Sequence, residues 1–227
     1  MKMNIFTGSI LAALLVSSTF AQAGVIVGGT RLIYDGSKKE SSLSVTNPDK
    51  VPYLVQSWVD TTTGSAEKAP FMVTPPLFRL DAGQQNVLRV VRAGGNLPGD
   101  RESMYWMNIK AIPAADVTRN QNTLQIAVKN RIKLIFRPTG LKGVPEDVAD
   151  KLTWQRSGDS LQVTNPTPFY MNFMQISVAG KALKNVTWVA PESTAKFALP
   201  AGVSGGSVSW KIISDYGAIG PEHTDSL

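Results

Sequence analysis

From Val25 onward, short runs of alternating or β-branched residues recur at close intervals, and no segment sustains a helical period. Val25–Tyr34, Leu43–Thr46, Tyr53–Val59, Val87–Arg92, Met104–Ile109 and Leu124–Phe136 read as strands. Between them stand turn formers such as Asp35-Gly36, Asn47-Pro48, Asp81-Ala82-Gly83 and Ala93-Gly94-Gly95. Strands this short bury a core only when two sheets face each other, so the first half predicts a β-sandwich. The pattern stops at Arg137-Pro138 and restarts after Pro145. Leu161–Thr164, Phe169–Val178, Val186–Val189, Thr194–Leu199 and Val208–Ser214 form a second, shorter series, with Pro145–Asp150 as a single helical turn. The intervening Thr139-Gly140-Leu141-Lys142-Gly143-Val144-Pro145 has the composition of a linker. The expectation is an all-β chain of two β-sandwich domains, 24–138 and 146–227, joined by a short hinge at 139–145.

The chain opens MKMNIFTGSILAALLVSSTFAQAG. One early cation, the apolar stretch Ile10–Val16 and the small-x-small triplet Ala21-Gln22-Ala23 describe a cleavable secretory signal over 1–23. The apolar run is too short for a membrane span, so the mature protein is expected to begin at Gly24 and not to be embedded in a membrane. Export permits disulfides, yet the sequence holds no Cys. Stability must therefore come from hydrophobic cores.

The same inventory thins the catalytic and metal chemistry. With no Cys and one His, soft metal sites and the usual triads lack their parts, and no phosphate-binding loop, nucleophile elbow or dinucleotide fingerprint is present. His223 reads as a solvated residue in a polar tail, Gly220–Leu227. Glu146-Asp147, just after Pro145, suit the first turn of a short helix better than a catalytic pair. Lys38-Lys39-Glu40 reads as a solvated turn. No enzyme activity, metal or cofactor is expected. The net charge of +6 suits an anionic partner, but secretion argues against nucleic acid.

The most unusual stretch is LQIAVKNRIKLIFRP, Leu124 to Pro138. Leu124, Ile126 and Val128 fall on one side of a strand, while Lys129, Arg131, Lys133 and Arg137 have the opposite parity. Alternating apolar strands are usually core, and a lone cation on a strand reads as a solvated edge charge, a reading that suits Lys129 and Arg131 best, where it would discourage edge-to-edge pairing. Asn130 interrupts the apolar parity before Ile132, Leu134 and Phe136 resume it, through either a bulge or a strong twist.

Several pieces together resemble the periplasmic chaperones of the chaperone–usher pilus pathway, the PapD-like family. They are Thr30-Arg31, PYLVQSWVD (52–60), FMVTPPLFRLDAG (71–83), DRESMYWMNIKAIP (100–113), LQIAVKNRIKLIFRP (124–138), NPTPFY (165–170) and SDYG (214–217), in the family's order. The resemblance spans about Val25 to Tyr216. It implies two immunoglobulin-like sandwiches in a boomerang or L shape. The implied function is binding of pilus subunits by donor-strand complementation and their delivery to an outer-membrane usher, in the periplasm. Leu124, Ile126 and Val128 would then be the lent strand, within a subunit-binding strand 124–136. Arg31 and Lys133 would grip the subunit's C-terminal carboxylate in the cleft between the domains. Glu102, Arg137 and Asp215 would form an interdomain ionic cluster.

The short connection from Ile112-Pro113 to Leu124, about ten residues, and the absence of Cys are similar to the family's short-loop (FGS-like) branch, associated with rod-like fimbriae. A chaperone without its client could cover the sticky strand as a self-capping homodimer. The competing reading is a secreted two-domain β-sandwich adhesin or carbohydrate-binding module, with Trp58, Trp106, Trp154, Trp188 and Trp210 as candidate sugar platforms.

Overall fold

A computed structural model describes residues 24–63, 68–114 and 124–227; the expected leader and most of the connection after Pro113 lie outside the described residues. The first domain is built from β1 (Ile26–Val27), β2 (Arg31–Asp35), β3 (Glu40–Thr46), β4 (Tyr53–Thr61), β5 (Phe71–Thr74), β6 (Leu77–Leu80), β7 (Gln85–Arg92), β8 (Ser103–Pro113) and β9 (Val128–Arg137). Sheet β1-β3-β7-β5 is one layer and β2-β9-β8-β4-β6 the other. Alternation buries Leu43 and Val45 of β3, Leu88 and Val90 of β7, Met107 and Ile109 of β8, and Leu134 and Phe136 of β9 in one core. Full burial of each such side chain is worth about 1.5–3 kcal/mol, which is how a cysteine-free sandwich holds.

A short 3₁₀ helix, η1 (Pro145–Lys151), opens the second domain, carrying Glu146 and Asp147 in the first turn and Lys151 in the last. β10 (Thr153–Ser157), β11 (Ser160–Asn165) and β15 (Ser193–Ala198) form one sheet. β12 (Met171–Val178), β13 (Lys181–Ala182), β14 (Trp188–Val189), β16 (Ser207–Ile213) and β17 (Ile219–Ser226) form the facing strands. Their core includes Leu161, Met171, Ile176, Trp210 and Ile212.

Several elements depart from the sequence reading. The single strand expected over Val25–Tyr34 is broken: β1 pairs with β3 in one sheet and β2 with β9 in the other. Gly28 makes the crossing, its N–H donating to the Ser44 carbonyl at 2.8 Å. A Cβ there would lie 2.1 Å from Ser44 Oγ and 3.1 Å from the Ser44 carbonyl oxygen, so any other residue would force the Ser44 side chain to turn away and its backbone to give. β5 and β6 were not anticipated because Pro75-Pro76 interrupts the run. The chain changes sheets at that proline pair, with a cis Thr74–Pro75 bond. His223 does not sit in a solvated tail. The polar segment containing it forms β17 beside β16, and its ring stacks on Trp210 with centroids 5.6 Å apart. An edge strand needs only main-chain pairing, so its polar side chains gave no alternation to read.

Candidate functional site

β9 is the strand on which the candidate residues converge. It pairs with β8 from Ala111↔Val128 to Ser103↔Phe136 without a register shift, so Asn130 makes no bulge on that ladder. Ile132, Leu134 and Phe136 therefore point into the core, and Lys129, Arg131, Lys133 and Arg137 to the opposite face. Leu124, Ile126 and Val128 share the inward parity but reach beyond the sandwich, 87%, 67% and 47% exposed. They do not pack in this chain's own core.

The strand expected to begin at Leu124 begins at Val128. Extending the ladder would set Ile126 opposite Pro113, which has no N–H to give, so regular pairing ends at Ala111.

The other edge of β9 is only half used. β2 runs parallel to it and pairs from Arg31↔Lys133 to Asp35↔Arg137. Among the described residues, Val128–Ile132 have no strand on that side. Because Gly28-Gly29 carries β1 off to the opposite sheet, a groove of 440 Å³ opens there, between Val25–Val27, Gly29 and Thr30 on one wall and Asn130–Ile132 on the other.

This open edge ends at a pair of cations. Arg31 and Lys133 are half-buried cross-strand neighbours, and among the described residues neither has a carboxylate within ion-pair distance. Arg31 donates from Nη1 to the Ile213 carbonyl of the second domain at 3.0 Å, while its buried Nε has no partner. Burial lowers its pKa, against the raising influence of Asp215 and Glu146. Lys133 donates from Nζ to Asn172 Oδ1 and lies over the ring of Trp188, 4.7 Å from its centroid. Burial, with a smaller contribution from the Arg31 charge, pulls the Lys133 pKa down to about 8. The site is thus a half-buried pair of cations with no acid in direct contact among the described residues, an arrangement that chemically favours an anionic group.

Further along β9, at its last residue, the domains are tied by Arg137. Its Nε donates to Glu102 Oε1 at 2.8 Å, and Nη1 and Nη2 donate to the two oxygens of Asp215 at 2.7 and 3.0 Å. Glu102 Oε2 accepts the Tyr170 N–H at 2.7 Å, and Arg137 also covers the ring of Phe169. Planar guanidinium geometry lets one side chain serve acids from both domains. Burial pushes the Glu102 carboxyl up, with Arg137 and the Tyr170 N–H pulling against it. A second tie lies beside it: Arg101 pairs with Glu192, and the Glu102 N–H donates to the Pro168 carbonyl at 2.9 Å.

The structure thus brings together Arg31 with Lys133, and Glu102 with Arg137 and Asp215. It adds groups that sequence reasoning missed, namely Asn172 and Trp188 beside Lys133. It also adds an outward row in which Lys129 lies over Trp58 and Arg131 over Trp106. Of the five tryptophans, Trp154 and Trp210 are core and lie against each other at a tilt of 47°, ring centroids 5.0 Å apart.

Known proteins resemble this chain over most of its length. Residues 24–142 match the profile of the pili and flagellar-assembly chaperone, PapD N-terminal domain, and residues 147–224 that of the pili assembly chaperone PapD, C-terminal domain. The chain is 46% identical over 211 residues to a probable fimbrial chaperone, LpfB, of Escherichia coli O157:H7, covering 91% of this chain and 90% of that one. It is 42% identical over 216 residues to the Escherichia coli chaperone FocC, covering 93% and 94%. Among solved structures, the E. coli chaperone DraB superposes with a TM-score of 0.82 at 43% identity, covering 90% of this chain and 96% of that one. A chain of the Salmonella enterica SafA pilin–SafB chaperone complex superposes at 0.84 and 40% identity, covering 92% and 99%. Both domain profiles are matched in order over nearly the whole described chain, and it belongs to the PapD family of pilus-assembly chaperones.

Proposed function

We propose that this chain captures pilus subunits in the periplasm by lending them the segment Leu124–Val128, and passes them to an outer-membrane usher. The observation that carries this reading is the course of β9. Three exposed aliphatic side chains run into a strand whose free edge stops at two unpaired cations. A subunit strand added to that edge gains main-chain hydrogen bonds whatever its sequence, and its exposed core gains Leu124, Ile126 and Val128. Its C-terminal carboxylate would reach Arg31 and Lys133. Glu102, Arg137 and Asp215 hold the domains at the angle the cleft requires. Cleavage of the leader 1–23 and export precede this, and without a client a second copy could pair along the same edge. Co-expression with the fimbrial subunits of the same host, purification of the chaperone and mass spectrometry test the reading. Subunits recovered with the wild-type chain, and lost when Leu124, Ile126 and Val128 are all serine, support it; equal recovery overturns it.

A further inference from the structure

The Lys133 ammonium is held by two groups of the second domain, and neither carries charge. Asn172 on β12 is only 3% exposed and accepts from Nζ; Trp188 on β14 offers its ring face. The two are cross-strand partners, so one piece of sheet positions both. Trp106 of β8, the cross-strand neighbour of Lys133, braces Trp188 edge-on with ring centroids 5.7 Å apart. The charged group acting on Lys133 is Arg31 on β2, another cation. Among the described residues, β8 contributes Trp106, β12 Asn172 and β14 Trp188, and along β9 itself the same face carries Arg131 and Lys129, each turned onto a tryptophan ring, and Arg137, engaged by Glu102 and Asp215. Asp215 and Glu146 act on Arg31 instead.

A buried ammonium is ordinarily paired with an acid. A carboxylate at position 172 would satisfy Lys133 better than an amide does, but it would also cancel the charge and repel an incoming carboxylate. An amide oxygen and a π face solvate the N–H groups without neutralising them.

We propose that Asn172 and Trp188 form a neutral cradle that fixes the Lys133 ammonium while leaving its charge free for a client's terminal carboxylate. Asn172 is then a positioning residue that sets how strongly the carboxylate is held. This rests on the reading of Lys133 as carboxylate anchor, and it assigns the second domain a direct part in client recognition.

The test uses the full chain and two peptides with the sequence of the final strand of a co-purified subunit, one ending in a free carboxylate and one amidated. Lys133 titration is followed by NMR in the client-free protein, and peptide affinity by calorimetry. Asn172→Asp is expected to raise the Lys133 midpoint by about 1–3 pH units. It is also expected to weaken the free-carboxylate peptide roughly ten- to hundred-fold, leaving the amidated one unchanged. Asn172→Ala, which removes the acceptor without adding charge, is expected to lower the midpoint instead, and carries the test alone if the aspartate variant does not fold. A wild-type midpoint and wild-type preference for the free carboxylate in these variants overturn the cradle. If Lys133→Ala itself keeps that preference, the anchor reading falls. Loss in Lys133→Ala with retention in Asn172→Asp removes the cradle and leaves the anchor standing.

Discussion

Arg31 and Lys133 stand opposite each other across the parallel β2–β9 pair, two cations brought together by backbone register with no acid between them. Both are also fastened to the second domain, Arg31 through the Ile213 carbonyl and Lys133 through Asn172. Like charges in this position raise the energy of the empty cleft, and on the reading proposed above an arriving carboxylate would relieve it.

Replacing either cation should therefore cost the client and spare the fold. Arg31→Ala or Lys133→Ala removes about 1.5–3 kcal/mol of charge-assisted bonding to a carboxylate. The expected outcome is a chain that still folds, with loss of subunit in co-purification. Recovery at wild-type yield in both variants would exclude the anchor.

Capture should weaken in mild alkali. The client-free Lys133 titrates at about 8, and pairing with a carboxylate raises that value in the complex. Below the midpoint the proton is already present and affinity is flat. Above it, binding must take up a proton, and affinity falls by up to about tenfold per pH unit. An unfolded lysine holds its proton to higher pH than this one, so Lys133 makes the fold more stable as pH rises through the same window. Loss of capture there cannot come from this group unfolding the chain. Calorimetry in buffers of differing ionisation enthalpy checks the proton uptake, and Lys133→Arg should flatten the profile.

The exposed aliphatic triplet should be separable from stability. Leu124, Ile126 and Val128 make little use of this chain's own core, so changing all three to serine should move its unfolding free energy by no more than about 1.5 kcal/mol in total. Subunit capture should be abolished, since each side chain fully buried in a client contributes about 1.5–3 kcal/mol. Thermal melts alongside co-purification separate the two effects.

Breaking the interdomain cluster should do the reverse and damage the chaperone itself. Arg137→Ala leaves the fully buried Glu102 carboxylate with only the Tyr170 N–H, a loss of about 3–5 kcal/mol. Unpaired, Glu102 is pushed further up by burial, so its protonation relieves the strain and the deficit should shrink as pH falls. Small-angle scattering should report an altered relation between the domains, and adding Glu102→Gln to Arg137→Ala should restore part of the stability.

What the sequence made legible followed the reach of local pattern. Alternation marked most strands, and the switch from Arg137-Pro138 to Pro145 marked where one series ends. It failed where a strand gains its place from main-chain pairing alone, as in β17, and where a break of two residues, Gly28-Gly29 or Pro75-Pro76, sends the chain to the other sheet. The odd parity of Lys133 looked like a conflict with Leu124, Ile126 and Val128. The unbroken β8–β9 ladder removes it, because the cation and the aliphatics serve opposite faces. Arg31, Glu102, Arg137 and Asp215 came to notice through resemblance to a family. Asn172 could not, because nothing in NPTPFYMNFMQ marks one asparagine as the partner of a lysine about forty residues earlier on another domain.

The half-used edge of β9 also works as a gauge. From Val128 to Ile132 the strand offers five residues of free backbone, about 17 Å at the usual rise, and then β2 occupies the lane. A visiting chain that continued past this point would collide with β2 end-on; one that terminates there arrives at the two cations. On the reading proposed above, the dead end would measure from the visitor's last residue rather than from any internal motif, and a subunit extended at its C-terminus by a few residues should bind less well than one of native length.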